Sequence, residues 1–214
     1  MINLKNITHK IFVILKWVFF VLAGAFIILV IARVPHAFQV DKTNNQVAVI
    51  HATKLQVNDV MGKNLPPDPG AEADKTVQGI DANRNGIRDD VELAIYKEYP
   101  KSAKTRAVLL QYALALQMIF IQPFVNEEVA TETITEQGRA DTCLSDTLVP
   151  RKSPDSDRSD ADMKKIDQFI NFIIEKQINT NARKEAQKNF YKYLRSYGES
   201  TNLTCDIDLT KLPN

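Results

Sequence analysis

Asp81-Ala82-Asn83-Arg84-Asn85-Gly86-Ile87-Arg88-Asp89-Asp90-Val91-Glu92 separates two kinds of sequence. Before it, Gly62 to Gly79 is polar and proline-rich, with Asn64-Leu65-Pro66-Pro67-Asp68-Pro69-Gly70 at its centre. Proline and glycine at that density do not make a helix. After it, apolar residues recur every three or four positions, the helical period. Within the stretch, oxygen-bearing side chains stand at positions one, three, five, nine and twelve, with glycine at six. A hard cation such as calcium takes roughly six to eight oxygens. Asp81, Asn83 and Asn85 alternate, so one tight turn can aim all three inward. Gly86 permits the bend. Ile87 offers its carbonyl oxygen, Asp89 binds directly or through a water, and Glu92 closes the sphere with both oxygens. Ca2+ is therefore the expected ligand, held by Asp81, Asn83, Asn85, Ile87, Asp89 and Glu92.

This ligand order resembles EF-hands, dockerin repeats and thrombospondin type 3 calcium repeats. Asn85-Gly86-Ile87-Arg88-Asp89-Asp90-Val91-Glu92 is most similar to the thrombospondin type 3 and dockerin-like versions, in which an acid at position nine is common. Two departures from the EF-hand matter. Position eight is Arg88 rather than an aliphatic residue that pairs with a partner loop, and no amphipathic helix leads in. The resemblance implies a solitary loop followed by a helix, not a paired sensor. More broadly, the path from His51-Ala52-Thr53-Lys54-Leu55 through the proline-rich segment and into the helices as far as Gln117 resembles uncharacterised membrane-anchored bacterial proteins. It implies no activity.

The competing reading is a turn and a helix start. Asn85-Gly86 is a good turn dipeptide. Asp89, Asp90 and Glu92 suit the positive end of a helix dipole. That reading leaves the spacing of Asp81 and Asn83 unexplained. With three charged ligands, two neutral amides, and Arg84 and Arg88 opposing a cation, affinity is expected near that of extracellular calcium modules, about 0.1 to 1 mM. At about ten times its dissociation constant, calcium would add roughly 1.4 kcal/mol to stability.

Ile11 to Ala32 is almost wholly apolar, interrupted only by Lys16. About twenty such residues cross a bilayer as a helix. Lys16 can carry its ammonium back to the headgroups, and Trp17 suits the interface. Lys5, Lys10 and Lys16 outnumber Arg33, which favours a cytoplasmic amino terminus. A signal peptide cleaved after Val30-Ile31-Ala32 is the alternative, but the apolar run exceeds the usual core of about 7 to 15 residues. Either way, Val34 to Asn214 lies outside the cytoplasm, in a periplasmic or extracellular space. Cys143 and Cys205, an even count in an oxidising compartment, are expected to form a disulfide rather than two buried thiols. Closing a loop of about 60 residues is worth roughly 4 kcal/mol.

Five helices are expected after the loop. The first runs from about Arg88 to Glu98, with Val91, Ala94, Ile95 and Tyr99 on one face. The second, near Lys101 to Ile121, carries Val108, Leu109, Tyr112, Ala113, Leu116, Ile119 and Phe120. Gln111 and Gln117 interrupt it, and it reads as a core helix rather than a second membrane span. The third, near Asn126 to Leu148, points Val129, Ala140, Cys143 and Leu144 inward, with Gly138 as a weak point. The fourth is capped by Ser159 or Asp160 and carries Ile166, Phe169, Ile170, Ile173 and Ile174. The fifth is capped by Asn179 or Thr180, with Ala182, Ala186, Phe190, Tyr193, Leu194 and Tyr197 inward and Gly198 at its end. The tail beyond is expected to be extended. Gln46-Val47-Ala48-Val49-Ile50 is either a short strand or a continuation of membrane-proximal structure.

The expected fold class is all-α: an amino-terminal transmembrane helix and a small extracytoplasmic bundle reached through the calcium loop. The layout is a cytoplasmic segment 1–10, a signal anchor 11–32, a membrane-proximal segment and linker 33–80, the loop 81–92 and a helical domain 88–214. A net charge of +1 over 214 residues argues against nucleic acid as a partner. The expected partners are the lipid bilayer and an extracytoplasmic protein. The three histidines, His9, His36 and His51, all precede the helical domain, which removes the usual Ser-His and Cys-His arrangements from it. No catalytic residue is assigned. Glu127, Glu128, Glu132 and Glu136 read as a solvated helix face. A non-enzymatic calcium-stabilised interaction module is the favoured function. The alternative is an envelope hydrolase using a carboxylate pair, with calcium as a structural ion.

Overall fold

The computed structural model describes residues 4–153, 156–196, 198, 200 and 203–213. All regular secondary structure among them is helical. The chain divides into two compact units, Met1–Asn45 and Gln46–Asn214. Helix α1 (Leu4–Ala52) forms the first unit and continues into the second. It is the one helix among the described residues long and apolar enough to cross a membrane. Phe12, Trp17, Phe26 and Ile28 are each about two-thirds exposed, so nothing in the first unit covers this apolar surface. Gln46 to Ile50 belongs to the helix, not to a strand.

The second unit is built around α4 (Ala103–Ile121). Its residues from Arg106 to Phe120 are all buried, the pattern of a helix surrounded on every side. It packs against α2 (Val57–Val60), α3 (Asp89–Glu98), α5 (Glu127–Leu148), α6 (Asp160–Gln177) and α7 (Asn181–Tyr191). Side-chain caps mark several of the helix starts. Asn126 accepts from Val129 N at 2.9 Å, Ser159 and Asp162 form a capping box, and Thr180 accepts from Arg183 N at 3.2 Å. Gln111 and Gln117 are buried with partners: Gln111 holds Thr204 O and Asp206 N, and Gln117 donates to Gln78 O.

Two expectations for the last helix fail. It ends at Tyr191, well short of Gly198. Turns from Tyr193 N to Phe190 O and from Leu194 N to Tyr191 O replace it, leaving Tyr193 about half exposed. Ala182 is exposed and Arg183 is buried in its place. Arg183 faces inward because its guanidinium reaches Ala73 O, Thr76 O and Val77 O, together with Asp74 Oδ1 and Asn179 Oδ1 at 2.5 Å. It thereby ties the 3-10 turn Gly70–Asp74 and its exit to α7. Tyr197 lies outside the described residues.

Cys143 of α5 is bonded to Cys205 of the tail, with Cα atoms 5.2 Å apart. The tail contains a 3-10 turn, Leu209–Lys211, so it is not simply extended.

Candidate functional site

The loop 81–92 folds around its own oxygens. Asp81 accepts from Asn85 N at 3.1 Å through one oxygen and from Gly86 N at 2.9 Å through the other. Asn85 Oδ1 accepts from Ile87 N at 2.9 Å, and Asn83 Oδ1 from Asn85 N at 3.3 Å. These are the Asx turns expected of short polar side chains in a tight bend. Gly86 has φ +85°, and a Cβ there would stand 2.7 Å from Leu114 Cδ1. Glycine at position six is thus required by backbone conformation and by the close approach to α4. Ile87 is fully buried, which anchors the loop in the core.

Glu92 reaches back from the first turn of α3 and is fully buried. Its Oε2 accepts from Asn83 Nδ2 and Asn85 Nδ2, each at 3.0 Å. Its Oε1 is buried with no hydrogen-bond partner. Burial pushes the Glu92 carboxyl up to about 7, against the opposing pull of the two amides. Asp89 is also fully buried and raised by burial, but both its oxygens face Ala82 N at 3.1 Å. Asp81, Asn83, Asn85 and Glu92 are therefore linked in one cluster, while Asp89 closes the loop backbone. Among the described residues no group of three or more His, Cys, Asp or Glu side chains converges as a metal-holding set. Any cation here would depend on amide and main-chain oxygens as well as carboxylates.

Arg88 does not oppose a cation in the loop. Its guanidinium is fully buried, pairs with Asp90 at 2.5 and 2.8 Å, and donates to Lys176 O and Gln177 O at the end of α6. Its stem crosses Gly79, where φ is +72° and a Cβ would lie 2.2 Å from Arg88 Cδ. Position eight thus joins the loop to the bundle rather than to a second loop.

A second charged cluster was not legible in the sequence. Glu136 is not on a solvated face: it is 1% exposed. His51 Nδ1 lies 3.0 Å from its Oε1, and Lys54 Nζ lies 2.9 Å from its Oε2. Arg139 Nη2 lies 2.6 Å from Glu136 Oε2 and 2.6 Å from Asp206 Oδ1. His51 also bridges to Glu132 at 3.1 Å, so this histidine is part of the helical domain after all. Burial pushes Glu136 up, but hydrogen bonds from Lys54, His51 and Arg139 outweigh it and hold the carboxyl below its ordinary value. Arg139 is one turn along α5, but the other members of the cluster come from residues 51, 54 and 206, separations too long for any sequence pattern to reveal. With Oε2 held by Lys54 and Arg139 and Oε1 by His51, Glu136 is poorly placed to serve as an acid or base.

No family model, curated protein or solved structure matches the chain.

Proposed function

We propose that this chain is a calcium-binding helical module, anchored in the cytoplasmic membrane by α1 and displayed on the outer side, where it acts through a protein partner rather than by catalysis. The observation that carries the metal reading is Glu92 Oε1, a buried carboxylate oxygen without a partner beside Asp81, Asn83 and Asn85. Leaving such an atom unpaired costs about 1–3 kcal/mol, and a cation would satisfy it. Two amide NH2 groups, of Asn83 and Asn85, direct their partial positive charge at Glu92. Turning each amide over would present oxygen instead. Asp81, Asn83, Asn85, the Ile87 carbonyl and Glu92 would then hold the ion, with Asp89 reaching it through water.

The exposed apolar surface of α1 and the lysines before and within it support the anchor. The Cys143–Cys205 bond supports an oxidising compartment. The cation-filled surroundings of Glu136 weigh against a carboxylate-pair hydrolase.

The test is calcium titration of the full chain in detergent micelles by calorimetry and thermal melting, with magnesium as control. One ion per chain, binding near the millimolar range and raising the melting temperature, is expected. Asp81→Ala should lose that response while keeping its helical circular dichroism. Absence of a calcium-dependent shift, or an unchanged shift in Asp81→Ala, would overturn the assignment.

A further inference from the structure

Asn85-Gly86 carries a second chemistry, one that needs no metal. It is the one asparagine–glycine pair in the chain. A main-chain nitrogen can attack the side-chain carbonyl carbon of the asparagine before it and close a cyclic imide. Glycine favours that attack because it has no Cβ to shield its nitrogen. Asn85 and Gly86 are both half-buried, so water reaches them.

The groups that hold the loop stand at the atoms this ring closure uses. Gly86 N, the nucleophile, donates to Asp81 Oδ2 at 2.9 Å, so a carboxylate already holds the proton that must leave. Asn85 Oδ1, where negative charge develops, accepts from Ile87 N at 2.9 Å. The same bond folds the Asn85 side chain back over the Gly86 peptide. Asn85 Nδ2, the leaving group, donates to Glu92 Oε2 at 3.0 Å. Base, oxyanion donor and leaving-group acceptor thus come from residues 81, 87 and 92.

We propose that Asn85 is a self-modification site at which the loop converts asparagine to aspartate, with Asp81 as the base. Gly86 N attacks Asn85 Cγ, and Asp81 takes its proton. The new N–Cγ bond leaves a tetrahedral centre whose oxyanion faces the Ile87 N–H. The Cγ–Nδ2 bond then breaks. Ammonia leaves with a proton from water, and Asp81 returns its own to water. A water molecule opens the imide at either carbonyl, giving aspartate or its β-linked isomer. The product replaces a donor to Glu92 Oε2 with a second carboxylate, which repels it. It also adds a charged ligand for calcium, and only this consequence rests on the calcium reading.

The experiment incubates the full chain in detergent micelles at pH 8 with a calcium chelator, beside the same chain unfolded in urea. Peptide mass mapping follows Asn85, where a gain of about 1 Da marks conversion of amide to acid. The folded chain should convert faster than the unfolded one. Asp81→Asn, with helical circular dichroism retained, should convert at least roughly ten-fold more slowly. The product, isolated by its extra negative charge, should melt below the parent in chelator. Slower conversion in the folded chain, an Asp81→Asn rate equal to wild type, or a gain confined to other asparagines would overturn the proposal. None of these readouts requires calcium to bind, and calcium titration of the parent tests that assignment by itself.

Discussion

Glu92 and Glu136 are equally hidden from water, yet their surroundings drive them in opposite directions. Around Glu136 the chain supplies His51, Lys54 and Arg139, and the carboxyl is held low. Around Glu92 it supplies only two neutral amides, one oxygen stays unpaired, and the carboxyl rises to about 7. Burial is common to both, so the difference is the presence of a cation. This fold completes a buried carboxylate with its own cations at one place and leaves the second without one. That contrast is the physical argument for the proposal that a cation from solution would complete Glu92.

The hardest test of the contrast is to make the two sites alike. Arg139→Met leaves Glu136 and Asp206 buried beside an apolar chain. Removing one partner of a buried pair costs about 3–5 kcal/mol, and urea denaturation should read a loss of that size. A loss comparable to that of a surface pair would show that the network contributes little and that Glu136 is no model for a satisfied carboxylate. Next comes Glu92→Gln. The folded-state value of Glu92 lies above its ordinary 4.5, so its contribution to stability is greatest below 4.5 and is lost as pH rises through about 7. The metal-free protein should therefore melt lower at pH 8 than at pH 5. Glu92→Gln should flatten that slope and gain roughly 2 kcal/mol at pH 8, with no calcium response left. Glu136 has the opposite sign. Its value is lowered, so its contribution is present above 4.5 and lost as pH falls through the folded value. The smallest effect belongs to His51→Gln. Its ring is one-third exposed, and thermal melts should show a loss below about 1 kcal/mol. A larger loss would make His51, rather than Arg139, the partner that matters.

Much of the fold can be read in the sequence, for local reasons. Asn126, Ser159 and Thr180 cap their helices through local side-chain to backbone bonds, and α4 carries apolar residues on every side because every side is covered. Where reading fails, the cause is a partner far away in the chain. The period through Phe190, Tyr193 and Leu194 continues past the point where the helix stops, and nothing local marks Tyr191 as its end. Arg88 and Arg183 look like surface charges, but both are fully buried because carbonyls of distant turns accept from them. Main-chain acceptors leave no trace in residue identity. The candidate loop was legible as a spacing of oxygens. Which of them is left unpaired was not, because that depends on Ala82 N occupying Asp89 while nothing occupies Glu92 Oε1.

The tail joins the bundle where the last turn of α1 does. Asp206 accepts from Leu55 N at 2.9 Å and from Arg139, the neighbouring Cys205 is bonded to α5, and Lys54 meets Glu136 on that same helix. The first and last stretches of the folded unit are thus clasped side by side. Tension applied between them would meet this clasp first; beyond it, the Cys143–Cys205 bond would carry the load past α6 and α7, whereas the loop and α3, which precede Cys143, have no such covalent bypass. The noncovalent clasp of Leu55 and Lys54 with Asp206 and Glu136 is therefore the mechanical guard of the loop.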